Sequence, residues 1–516
     1  MSGFNDRPFC GTNNGQNERT KMKKKRLLSL ILAALTVSVT LASCVGQTGE
    51  DETTAGAETT VGDETPDELV RQLYGERDYG GRKLRILAVG AGAQWYNLIG
   101  SEANEVWFED AGSDLLQKSV YERNKSSEQL LNMEIVPMWC NSSQEVREKV
   151  VSAALANIDD FDVSFASLPE QMTAAANGAL LNLNDYDSFD GTHSWWNEKF
   201  VKNITLFGTD IYVIAGAINI WDDCSIEALI FNKDYIERHG CDDPYQMVFD
   251  GEWTIDNQRV LMKQCTADVN GDQDMDDADN WGASGIGIIL YSGLYGLDTG
   301  ITRMNEDGFP ELTCTTEEHI TKVQSYFNTV MNSDALYQQG INGEKAYYDM
   351  FTDGQSALMM ANLTSLFGLR NMEDEYGILP LAKYNAEQLD YTGKNNSDFY
   401  TCYAVPKSCT DPDFALTALE VMSGYSVDTL DYNLHEILFA SKLTRDRESR
   451  QVLKILQNTI SFDWAYVGDW RGNLVSIYDL KAGWPFTLAS RLESEVDSAQ
   501  ARLDNMIEGF VGRSGG

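Results

Sequence analysis

Apolar and polar positions change period several times along this chain, and each change marks an element. Lys83-Leu84-Arg85-Ile86-Leu87-Ala88-Val89 reads as a first strand running into the Gly-rich turn at 90–92. Helical spacing then holds from Ser113 to Leu131. A strand over Met133 to Met138, a helix from Ser143 to Leu155 and a short strand from Phe161 to Phe165 follow. Strands and helices alternating at this size predict an α/β fold built on a parallel sheet. Ligands of such sheets sit outside the carboxyl ends of the strands. That places Gln94-Trp95-Tyr96 and Ser164 to Leu168 beside a crevice.

The amino terminus follows another pattern. A basic cluster, Lys21-Met22-Lys23-Lys24-Lys25-Arg26, precedes the uncharged apolar run Leu27 to Ala42. That run is shorter than the roughly 20 residues a bilayer span needs and has the flanks of a secretory signal. It ends in Leu41-Ala42-Ser43-Cys44, which resembles the lipobox of bacterial lipoproteins. The resemblance implies a lipid on Cys44, a signal peptide over 22–43 and an upstream extension over 1–21. Over 44–80, Gly, Thr, Ala, Glu and Asp dominate, and the segment reads as a disordered acidic tether. Localisation is therefore expected to be extracytoplasmic, with the body held to the membrane by its lipid.

With 516 residues the chain exceeds one compact core. Its net charge of −39 excludes nucleic acid as a partner, since phosphates are met by Lys/Arg stripes. Nine Cys include no C-x-x-C pair, which argues against a metal framework. Catalytic look-alikes fail in detail. The Gly90-Ala91-Gly92-Ala93-Gln94-Trp95 stretch has Trp where a dinucleotide fingerprint needs its third Gly. Phe439 stands where a zinc-protease helix would carry its second His after His435-Glu436, and no P-loop occurs.

Several segments, in order, resemble the solute-binding proteins of carbohydrate-type ABC importers of the maltose-binding kind. They are Asn177-Gly178-Ala179-Leu180-Leu181-Asn182-Leu183, Ala228-Leu229-Ile230-Phe231-Asn232-Lys233-Asp234, Gly251-Glu252-Trp253-Thr254, Phe351-Thr352-Asp353-Gly354-Gln355-Ser356-Ala357-Leu358-Met359 and Tyr376-Gly377-Ile378-Leu379-Pro380-Leu381. The resemblance covers about 80–510. It implies a periplasmic-binding-protein-like type II fold, two α/β lobes on a hinge with a cleft between them. Crossings are expected near 214–227, 359–365 and 424–430, giving lobe 1 as 81–215 plus 362–425 and lobe 2 as 225–360 plus 428–510. It also implies a sugar ligand, ABC permease subunits as partners and no enzymatic activity. A lipid-anchored glycoside hydrolase and a surface glycan-binding protein are the alternatives.

Two sets of site residues stand out. Asp268, Asn270, Asp272, Asp274, Asp276 and Asp279 occupy positions 1, 3, 5, 7, 9 and 12 of a loop, the spacing that wraps Ca²⁺ in hard oxygen donors. Gln273 replaces the usual Gly at position 6, and Asp279 replaces the bidentate Glu. The second set is aromatic and polar: Trp95, Tyr96, Trp221, Asp222, Tyr291, Asn362 and Trp484, with Trp195, Trp196, Trp281, Trp464 and Trp470 as further candidates. Indole and phenol faces stack on sugar rings, while carboxylates and amides take the hydroxyls. Any one Trp serves equally well in a core.

Overall fold

The computed structural model describes residues 65–90, 104–459, 461–468 and 488–511. Three sheets organise them. The first carries β1 (Arg82–Val89), β2 (Met133–Cys140), β3 (Val163–Ser167) and β11 (Thr401–Ala404), in the order β11-β3-β1-β2. β1 pairs in parallel with β2 and β3, and β11 runs antiparallel to β3. The second carries β4 (Glu227–Asn232), β5 (Trp281–Gly285), β8 (Leu336–Gln338), β9 (Ser356–Asn362) and β10 (Tyr376–Leu379), in the order β10-β4-β9-β5-β8. β6 (Thr302–Met304) and β7 (Pro310–Leu312) form a separate antiparallel ribbon.

Local chemistry explains the elements. Asp114 and Ser142 cap the helices Leu115–Leu131 and Ser143–Ala156 by accepting from their first-turn N–H groups. Asn132 and Asn157 close the same helices in the left-handed conformation. Every residue of β4 and β5 is buried, as expected where helices cover both faces.

The chain passes between the two sheets several times. Ile214 is bridged to Tyr403 beside the first sheet, and Glu227 opens β4 in the second, so the first crossing runs over 215–226. The return was expected at 359–365. Instead β10 pairs with β4, which keeps the chain with the second sheet until the segment 395–400 leads into β11. Residues 363–394 therefore go with the second lobe. Backbone pairing of Tyr376–Leu379 to Leu229–Asn232, invisible in a local pattern, decides this. A third crossing is helical: Pro412–Ser426 continues as π-helix over Val427–Asp431 and Asn433–Leu443. It starts against the first lobe, where Asn433 Nδ2 donates to Ser119 Oγ at 2.8 Å. It ends against the second, where the Leu443 carbonyl accepts from Tyr376 Oη at 2.8 Å. The last helix, Leu488–Val511, packs on both lobes, with Phe510 against Tyr212 on the first and contacts to the helix Glu317–Tyr326 and to β7 on the second.

The tether expectation also needs correction at its carboxyl end. Pro66–Tyr74 is a helix with a complete capping box between Thr65 and Glu68. Val70 and Tyr74, four residues apart, are buried, and Val70 packs at Gly424. Two apolar side chains on one face suffice once a partner helix is present. Residues 44–64, with Cys44, lie outside the described residues.

Candidate functional site between the two sheets

The strand directions converge on one place. In the first sheet the carboxyl ends are Val89, Cys140 and Ser167, beside Thr401 at the start of antiparallel β11. In the second they are Gly285, Gln338 and Asn362, beside Glu227 at the start of β4. The segments 215–226 and 395–400 join these two ends and lie side by side. Ile226 is bridged to Asn395, Asn396 N donates to the Ser225 carbonyl at 3.0 Å, and Asn395 Nδ2 donates to the Asp222 carbonyl at 2.7 Å.

On the first-lobe side of this joint sits Glu105, which is fully buried. Its Oε1 accepts from the Ile220 and Trp221 amides, and its Oε2 accepts from Thr401 Oγ1 at 2.7 Å. Burial pushes its carboxyl up to about 7, against the pull of those hydrogen bonds and of the Arg123 charge. Arg123, also buried, donates to the carbonyls of Glu105, Val106 and Ile218.

On the second-lobe side sits Glu227, buried and opposite Asn362 in the β4–β9 register. Burial raises it too to about 7, while Lys394, Asn396 and Ser292 favour its charged form. The Lys394 Nζ stands over two phenol rings, 4.5 Å from the Tyr295 centroid and 4.0 Å from that of Tyr466. A carboxyl, an ammonium, two amides, a hydroxyl and two aromatic rings thus gather at the carboxyl ends of the second sheet. Nearby, a crevice of about 670 Å³ is lined by Asn203 from the first lobe and by Tyr295, Arg303, Tyr391, Asn458 and Phe462. That volume is in the range of small-molecule sites. A hollow of about 800 Å³, lined by Glu317, Glu318, Lys322 and Tyr384, adjoins this crevice and shares Asp298, Leu389, Asp390 and Thr392 with it.

The sequence candidates fall out as follows. Asn362 pairs with Glu227 at the site. Asp222 lies in the joint, buried, its carboxyl held well above the usual range by burial and by the neighbouring acids Asp223, Glu105 and Asp431. Trp221 is buried and stacks near Phe399, with ring centroids 6.3 Å apart. Tyr291 is buried against Phe327. Trp195 and Trp196 are core residues whose indole N–H groups both donate to buried Glu420, and Trp281 packs with Tyr337 and Met350. Trp95, Tyr96, Trp470 and Trp484 lie outside the described residues. Glu227, Lys394, Tyr295 and Tyr466 were not singled out from the sequence. Only the hydrophobic strand that Glu227 opens, with a charge at its mouth, hinted at one of them.

The acidic loop 268–279 is wound on its own side chains. Asp268 accepts from Gly271 N (2.6 Å) and Gln273 N (2.9 Å). Asn270, Asp272 and Asp276 each accept from the amide two residues on. Asp279 accepts from Val269 N and Asp276 N. Gln273 takes φ 73° at position 6, the left-handed conformation a Gly would fill more easily. The donor set is all oxygen and suits a hard cation.

Comparisons with solved structures decide the fold. The galacto-N-biose-/lacto-N-biose I-binding protein of an ABC transporter from Bifidobacterium longum, in complex with lacto-N-biose, matches with TM-score 0.54 and 11% identity, over 83% of this chain and 98% of that one. The ABC substrate-binding protein Lmo0181 from Listeria monocytogenes, in complex with cycloalternan, matches with TM-score 0.52 and 14% identity, over 82% and 99%. UgpB from Mycobacterium tuberculosis, in complex with glycerophosphocholine, matches with TM-score 0.51 and 14% identity, over 83% and 100%. This is the two-lobe fold of ABC-transporter substrate-binding proteins. No protein-family model and no curated protein matches the sequence. In this two-lobe fold the segments 215–226, 395–400 and 427–443 pass between the two sheets, and Glu227 and Lys394 adjoin the first two of them.

Proposed function

We propose that the protein captures an extracytoplasmic solute, a mono- or oligosaccharide, in the interlobe cleft and delivers it to the permease of an ABC importer. The observation that carries this reading is the placing of Glu227, Asn362, Lys394, Asn396, Tyr295 and Tyr466 at the carboxyl ends of the second sheet, beside paired crossing segments. Aromatic faces and fixed polar groups are what a sugar ring needs. Structural neighbours solved with lacto-N-biose and cycloalternan share the architecture. Closure about the joint would bury the ligand and produce the shape a permease reads. No helix among the described residues is long and apolar enough to cross a membrane. The anchor in this reading is the lipid on Cys44.

A thermal-shift screen of the full chain against a sugar panel tests the proposal. A true ligand at 100 times its dissociation constant adds about 2.7 kcal/mol of stability. Small-angle scattering with that ligand should show compaction. A panel without a hit, together with turnover of a glycoside, would replace capture by hydrolysis.

The 268–279 loop belongs to the same reading as a structural Ca²⁺ site, with Asp268, Asn270, Asp272, Asp274, Asp276 and Asp279 as oxygen donors. Millimolar Ca²⁺ should raise the melting temperature of the native chain and leave that of Asp279→Ala unchanged.

A further inference from the structure

The described cysteines are all free thiols, yet two of them are neighbours. Cys241 follows the helix Lys233–His239 after Gly240, whose φ of 66° turns the chain back. Cys265 ends the helix Ile255–Gln264. The residues beside them lock the two turns together: Asp242 N donates to Gln264 Oε1 at 3.0 Å, and Gln264 Nε2 donates to Asp242 Oδ2 at 2.7 Å. Tyr235 Oη holds the Cys265 carbonyl at 2.6 Å. The reciprocal Asp242–Gln264 bonds thus bring the residues next to them, Cys241 and Cys265, side by side, close enough for each thiol to influence the other's ionisation. Cys265 is buried and Cys241 is partly open to solvent, so an oxidant reaches the pair from one side. Two residues beyond Cys265, Ala267 pairs with Asn280 in both directions, at 2.9 and 3.1 Å, and closes the neck of the acidic loop.

We infer that Cys241 and Cys265 form a reversible disulfide that staples the base of the acidic loop to the second lobe. This rests on the extracytoplasmic placement proposed above, where thiols meet disulfide oxidants. The Cys241 thiolate attacks one sulfur of a small disulfide such as oxidised glutathione and expels one thiolate. The Cys265 thiolate then attacks the Cys241 sulfur of the mixed disulfide and expels the second. Two protein thiols are oxidised, one small disulfide is reduced, and the two protons pass to the departing thiolates. Burial holds both thiols above their ordinary range, which slows the first attack and equally shields the finished bond.

The test uses the purified full chain in glutathione buffers of graded oxidation, followed by alkylation and peptide mapping. We expect a cross-linked peptide pair carrying Cys241 and Cys265 and a melting temperature about 3 °C above that of the reduced chain. Cys241→Ser and Cys265→Ser should each leave the partner thiol alkylated and abolish the shift. The inference is overturned if both thiols remain alkylated in the most oxidising buffer while the circular dichroism stays native, or if either pairs elsewhere. Sugar binding is not read in this experiment, so its outcome and that of the ligand screen are independent.

Discussion

Two buried carboxyls, Glu105 and Glu227, flank the joint, and burial brings each to about 7, yet they are built for different work. Glu105 is held by two backbone amides and a threonine hydroxyl, all on segments that converge at the hinge. Its partners cannot leave without unravelling the crossing. Glu227 faces side chains instead: a lysine over two rings, an asparagine and a serine. Those groups can trade partners for a ligand. A buried acid ringed by backbone is part of the frame; the same acid ringed by side chains can belong to a site.

The sharpest way to break this contrast is Glu105→Ala. It strands the Ile220 and Trp221 amides and the Thr401 hydroxyl, and should cost about 3 kcal/mol in urea unfolding at pH 8. A cost below about 1 kcal/mol would show that the joint does not depend on it. The pH dependence comes next. Both carboxyls rise from 4.5 to about 7 on folding, so between those values the folded state holds protons the unfolded chain has released. These two groups therefore make stability fall as pH rises from about 4.5 to 7, each contributing up to about 1.4 kcal/mol per unit, and the raised Asp222 and His435 act in the same direction. Glu105→Gln and Glu227→Gln should each remove up to about 1.4 kcal/mol per pH unit of that slope in urea unfolding taken at intervals across this range.

Glu227→Gln separates frame from site. Stability at pH 5, where the folded chain holds Glu227 protonated, should stay within about 1 kcal/mol of the native chain, while affinity for the sugar found by screening drops about tenfold or more, read by calorimetry. The smallest effect belongs to the outer side of the hinge. There His435 Nε2 lies 2.8 Å from Asp223 Oδ2 and 3.4 Å from Asp431 Oδ1, joining the first and third crossings. Burial opposes the charged ring, but the two acids outweigh it and hold the histidine protonated well above its ordinary range. Asp223→Asn should cost about 0.5–1 kcal/mol at pH 6, and the cost should fade as pH rises through the raised histidine value.

Much of the fold was legible because its signals are local. The strands at 82–89 and 133–140 and the helices at 115–131 and 143–156 follow from period and caps within a few residues of where the pattern puts them. The first crossing was expected near 214–227 only through the family resemblance, and the chain passes between the sheets over 215–226. The second was not legible, because Tyr376–Leu379 reads as an ordinary buried strand whichever sheet receives it. The tryptophans taught a related lesson. Trp195 and Trp196 sit in loop-like sequence, but the buried carboxylate of Glu420, more than 220 residues away, draws both indoles into the core.

By itself, the sequence determined the alternating α/β elements, the strand mouths where a ligand would sit and the alternating oxygens of the 268–279 loop, since each depends on neighbours within a turn or two. Tertiary structure alone decided which sheet claims residues 363–394, which aromatics are core, and that Glu227 meets Lys394 while Cys241 meets Cys265. Those outcomes depend on pairings between distant segments, and a one-dimensional period carries no record of which partner lies opposite.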